Sequence, residues 1–141
     1  MKTLRTLLTV CLLALAFNTF ADELNTSNKL SIDYALKMYL DAVSDGKVKG
    51  FAEVLDNDVK FTVSRGEKIV NYSKSEMMTS LKSSEGVKQN CTTEYTVVEQ
   101  NSTQTIVKVT QKYNDFTKVN FVTFNNTSKG WKITNVSSSF S

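Results

Sequence analysis

The chain has 141 residues, with 17 Lys plus Arg against 14 Asp plus Glu, two Cys and no His. Without His there is no Ser-His-Asp or Cys-His catalytic site, and both the commonest general acid/base and the commonest zinc ligand are missing. No Lys/Arg cluster is longer than two residues, so nucleic-acid binding lacks a basic footprint.

The N-terminus reads as a targeting segment. Lys2 and Arg5 precede the apolar run Leu7 to Phe17, and "NTFADE" follows. That order is the layout of a secretory signal peptide. Thr19 and Ala21 are small enough for the −3 and −1 positions, which places cleavage after Ala21 and the protein in a secreted or periplasmic compartment. The run is shorter than the roughly 20 residues that span a bilayer, so no membrane association is expected after cleavage. An uncleaved anchor and lipidation at Cys11 are the alternatives, the second disfavoured by bulky Val10 before the cysteine. Losing Lys2 and Arg5 takes Lys plus Arg from 17 to 15 against 14 acids, a net charge of +1. Cys91 is then the only cysteine, so no internal disulfide forms, and it reads as a small buried hydrophobe in a strand. Residues 22–29 are expected to be a flexible lead and 30–141 a single domain.

"LSIDYALKMYLDAVSDGK" places Ile32, Leu36, Tyr39, Leu40 and Val43 on one helical face, with Ser31 as cap, Asp33 in the first turn and Gly46 as stop. "VKGFAEVLDNDV" puts Val48, Phe51, Ala52 and Leu55 at helical spacing, predicting a second short helix. In "DVKFTVSRG", Val59, Phe61 and Val63 alternate with polar residues as in a half-buried strand, and "EKIVNY" reads as its return. "SKSE" is a capping box opening a third helix with Met77, Met78 and Leu81 on its apolar face. After Gly86 only strands follow: Cys91 to Gln100, Gln104 to Tyr113, Phe116 to Phe124 and Trp131 to Ser138. No proline blocks any of them. The plan is α+β: a curved antiparallel sheet forming a cone around three helices of the N-terminal half.

"YALKMYLDAVSDGKVKGFAEVLDNDVKFTVSRG", followed by a short helix and a meander ending in "GWKITNV", resembles the nuclear transport factor 2-like superfamily. Within it the likeness is to the secreted bacterial proteins labelled putative lumazine-binding. The resemblance runs from about Leu30 to Val136. It implies a cone-shaped, cystatin-like fold that elsewhere hosts isomerases, dehydratases, polyketide cyclases, ligand carriers and structural dimer modules. Fold alone therefore leaves the activity open. A cystatin-type inhibitor shares the gross plan, but its Gln-Val-x-Val-x-Gly hairpin is replaced by "TVVEQNS".

Enzymes of the resembled fold can use an Asp base with a Tyr donor. Here Asp41 and Asp45 fall near a helix end, Asp56 and Asp58 at a helix-to-strand junction and Asp115 in a turn, the usual places for solvated Asp. Glu94 is the one acid in a strand interior, and its face in "CTTEYTVVE" is the less apolar, which points it outward. No catalytic residue, metal site or cofactor is therefore assigned. A ligand pocket is easier to furnish. Thr105, Val107, Val109, Gln111 and Tyr113 share one face, with Lys108 and Lys112 on the other. Gln111 and Tyr113, together with Tyr39, Tyr95, Phe121 and Trp131, form the candidate lining of the cone, with Arg65 at its rim for an anionic ligand. The competing reading makes Tyr39, Tyr95 and Trp131 plain core. Phe121 is assigned inward with Trp131 and Ile133, while Ile106, Val122 and Phe124 lie on the outer face and suggest a homodimer contact. The expectation is a secreted, non-enzymatic domain binding a small molecule or protein partner. The alternatives are a lyase or isomerase with an Asp/Glu–Tyr pair and a purely structural dimer module.

Overall fold

The computed structural model describes residues 29–141. The signal peptide and all but the last residue of the expected lead lie outside the described residues. The first helix, α1 (Ile32–Asp45), begins where the sequence places it: Ser31 is extended and its Oγ accepts the Tyr34 N–H at 3.2 Å. It ends at Gly46, which adopts φ 69° and directs its N–H back to the Asp41 carbonyl. A Cβ at Gly46 would stand 2.8 Å from the backbone N and O of Val87, so glycine also permits the close approach of that segment. Two backbone bonds fasten it there: Gly86 N–H to Gly46 O at 3.0 Å, and Gln89 N–H to Ser44 O at 2.7 Å. The buried stripe of α1 is Ala35, Tyr39 and Ala42, with Ile32, Leu36, Leu40 and Val43 packed partly buried on its flanks.

The expected second helix is a single 3-10 turn, Phe51–Val54, entered through Gly50 at φ 81°. Phe51 and Val54 are buried, and the chain extends directly into β1 (Leu55–Arg65), earlier than the alternation suggested. Gly50 in the left-handed region interrupts the expected helix after Lys49, and the i, i+3 spacing of Phe51 and Val54 suits the tighter turn. A register shift between Leu55 and Lys60 gives β1 an irregular start, in which Asp58 N–H donates to Asp56 Oδ2 at 3.0 Å. The return strand is β2 (Lys68–Tyr72), and α2 (Lys74–Ser83) follows. Both halves of its capping box form: Glu76 N–H to Ser73 Oγ at 3.3 Å and Ser73 N–H to Glu76 Oε2 at 3.2 Å. Met78 is buried, and Met77 and Leu81 pack partly buried beside it.

Strands β3 (Thr92–Gln100), β4 (Gln104–Lys112), β5 (Thr117–Thr127) and β6 (Gly130–Phe140) complete a six-stranded sheet in the order β2-β1-β6-β5-β4-β3. It is an α+β fold, with a curved sheet that does not close into a barrel. Every neighbouring pair is antiparallel except β1–β6, which is parallel; the segment from β2 to β5 is the crossover such a pair requires. Further register shifts, between Val97 and Glu99 and between Thr123 and Phe124, bend the sheet around α1. The concave face holds Phe61, Val107, Val109, Val122, Phe124, Ile133 and Val136 against Ala35, Tyr39 and Phe51.

Two strand-face expectations are corrected. Val122 and Phe124 are fully buried, whereas Phe121 is 41% exposed on the convex face, so β5 is turned opposite to its expected orientation. Pairing decides this: Val122 sits opposite Val107 and Asn120 opposite Val109, both buried positions of β4. Tyr95 and Val97 do share the face of Val109 and Val107, as the alternation implies. They stay exposed nonetheless, because β3 is an edge strand while α1 packs on β6 and α2 on β1.

Candidate functional site

A hollow of about 210 Å³ lies between α1, α2 and the concave sheet. Its apolar walls include Val43 of α1, Phe51, Phe61 and Val63 of β1, Met77 and Leu81 of α2, and Val136 of β6. Beside it runs an open groove of about 780 Å³ between β1–β2 and α2, with Phe140 at its end. The two share Val63, Met77, Leu81 and Lys118. The hollow alone is below the ~300–1,000 Å³ usual for ligand pockets, so a ligand of ordinary size would occupy both.

A chain of polar side chains crosses the apolar lining. Ser138 Oγ–H donates to Asn120 Oδ1 at 2.6 Å. Asn120 Nδ2 donates to Gln111 Oε1 at 3.2 Å and to the Val109 carbonyl at 3.3 Å. Gln111 Nε2 continues to the Val43 carbonyl of α1 at 3.2 Å. Nearer the mouth, Tyr113 Oη donates to Gln89 Oε1 at 3.0 Å, and Gln89 is held there by its backbone bond to Ser44. Cys91 stands beside this group, its Sγ 3.9 Å from Gln111 Nε2 and 3.7 Å from Thr93 Oγ1.

Burial shapes the titration of three lining groups. It raises the phenol of Tyr39, which is fully enclosed. It pushes Tyr113 up to about 12, with neighbouring Cys91 adding to the effect. Lys118 is drawn below its ordinary value, first by burial and then by the Arg65 guanidinium, with Cys91 acting in the opposite sense. Arg65 and Lys118 both face the ring of Phe140, with Cζ 4.8 Å and Nζ 5.8 Å from its centroid. Phe140 is the cross-strand partner of Lys118, so the register itself brings the two together.

Of the sequence-derived candidates, Tyr39, Gln111 and Tyr113 line the hollow and Arg65 lines the adjoining groove. Tyr95 and Phe121 do not contribute, the first on the uncovered edge strand and the second on the convex face. Trp131 packs partly buried at the other end of α1, where its N–H donates to the Leu30 carbonyl at 3.0 Å. Lys118, Asn120, Ser138 and Gln89 were not anticipated. The first two were hidden by the reversed face of β5: once Val122 and Phe124 point inward, alternation carries Asn120 and Lys118 inward with them.

No carboxylate lines the hollow among the described residues, while Glu76 and Tyr72 line the adjoining groove. Glu94 points to the convex face, as expected, with Lys112 Nζ 3.4 Å from its Oε2. Asp41 pairs with Lys37 on the surface of α1.

A family model described as "Putative lumazine-binding" matches residues 27–140. No curated protein matches. Solved structures share the fold at low identity. An NTF2-like protein of unknown function from Shewanella baltica superimposes with a TM-score of 0.63 at 7% identity, over 86% of this chain and 96% of that one. An NTF2-like protein from Cytophaga hutchinsonii gives 0.59 at 17% identity, over 77% and 93%. One of unknown function from Silicibacter pomeroyi gives 0.59 at 9%, over 78% and 91%.

Proposed function

The chain belongs to the family described as "Putative lumazine-binding", and from that premise we propose that it is a non-enzymatic binding domain that takes a small molecule into the hollow and groove between the helices and the sheet. The observation that carries the reading is the polar chain Ser138–Asn120–Gln111 set beside the apolar walls Val43, Phe61, Leu81 and Val136 of a partly open hollow. A few fixed polar groups in an apolar concavity orient a ligand at small desolvation cost. The composition of the N-terminus supports export as the setting, since Lys2, Arg5 and the run Leu7 to Phe17 form a signal-peptide pattern. A homodimer joined through the convex face is part of the same reading, with exposed Phe121 now at its centre.

The test is native mass spectrometry of the protein purified from its own source, together with calorimetric titration of lumazine. Co-purification of a small molecule, or saturable lumazine binding weakened by Asn120→Leu, supports the reading. Absence of both defeats it and leaves a structural module.

A further inference from the structure

Among the described residues, Lys118 and Arg65 are cations without a carboxylate partner. Among the described residues the ion pairs are Lys37–Asp41 and Lys112–Glu94, so neither Lys118 nor Arg65 has a carboxylate within ion-pair distance. Lys118 is half-buried and lines both the hollow and the groove. The groove's one carboxylate, Glu76, is turned to the helix end, where it accepts the Ser73 N–H. Lys68 adds a third positive charge along the same groove.

A half-buried ammonium without a counter-charge carries a desolvation cost, and a second cation nearby adds to it. We propose that the ligand is a small organic anion whose acidic head, carboxylate or phosphate, sits between Lys118 and Arg65 while its apolar body enters the hollow. This rests on the small-molecule reading above. The guanidinium presents a planar fork to such a head, and the ammonium supplies a point charge from the inner side. The lowered pKa of Lys118 agrees with the geometry, because burial and Arg65 both oppose its charge and an anion would relieve both. The apolar walls at Phe61, Val136 and Leu81 then favour an aromatic or aliphatic body over a sugar or an inorganic ion.

Matched probes separate the head from the body. Calorimetric titration of the purified protein would compare naphthoate, naphthyl phosphate, the neutral isostere naphthalenemethanol and inorganic phosphate. The wild type should prefer at least one of the two anionic probes over the alcohol by about tenfold or more, the usual worth of a charge-assisted contact. The better anion identifies the head, and inorganic phosphate alone should bind far more weakly. The preference should shrink with added salt. Lys118→Met and Arg65→Gln should each reduce the ratio of anion to alcohol affinity, and a cooperative urea unfolding transition for each variant shows that it is folded. Equal binding of alcohol and anions by the wild type would overturn the anionic head and leave the binding reading intact. Failure of every probe to bind at millimolar concentration would overturn the anionic ligand with an apolar body; only the further absence of lumazine binding and of any co-purifying molecule would overturn the binding reading.

Discussion

Asn120 Nδ2 on β5 donates to Gln111 Oε1 on β4 at 3.2 Å, and both side chains are about 1% exposed. Gln111 therefore faces the hollow and is fully bonded at the same time. A glutamine held this way belongs equally to the core and to a binding site, so its cost on deletion cannot by itself distinguish a filled cone from an open one.

Gln111→Leu should destabilise the fold by about 1–3 kcal/mol, because it leaves the Val43 carbonyl and one Asn120 contact without a partner in a buried setting. Urea unfolding of this variant, of Asn120→Leu and of the double variant measures the coupling. Additive losses would show that the pair does not act as one network.

Alkaline stability should carry opposite signatures from two lining residues. The native pKa of Lys118 is below its ordinary 10.5, so in that interval the unfolded chain binds more protons and stability from this residue rises with pH. Lys118→Met should abolish that rise and be more stable than wild type at neutral pH. The native pKa of Tyr113 is about 12 against an ordinary 10.0, so its contribution is full below pH 10 and is lost toward pH 12. Tyr113→Phe should lack that decline. Denaturation midpoints across the alkaline range check both; a flat difference between either variant and wild type would refute its assignment.

Phe121 and Phe124 should part company. Phe124→Ala empties a fully buried site and should cost about 3–5 kcal/mol. Phe121→Ala, on the convex face, should stay within about 0.5 kcal/mol for the monomer. If the homodimer forms through that face, Phe121→Asp should yield monomer in sedimentation while retaining the wild-type unfolding midpoint of a monomer. A dimer that survives the charge would exclude this face.

Export predicts a defined mature end. N-terminal sequencing of protein recovered outside the cytoplasm should read Asp22-Glu23-Leu24. A mature chain still carrying Leu7 to Phe17 would contradict the expected cleavage.

What the sequence determined by itself was local. Ser31, the Ser73–Glu76 pair and Gly46 cap and stop helices through bonds spanning only a few residues, so their spacing is enough to read them. Strand β4 was equally legible, because Thr105, Val107, Val109 and Gln111 alternate against two lysines that cannot be buried cheaply. Strand β5 offered no such contrast. Phe121 on one face competes with Val122 and Phe124 on the other, and only pairing with Val107 and Val109 of β4 chose between them. The shifts near Val98 and Thr134 likewise exist only in the paired sheet. The candidate site inherits this dependence. Arg65, Lys118 and Phe140 come from β1, β5 and β6, and no sequence spacing relates them. Their meeting was decided by the parallel junction of β1 with β6 and by the register that sets Lys118 opposite Phe140, since side chains distant in the chain become neighbours only when strand pairing aligns them.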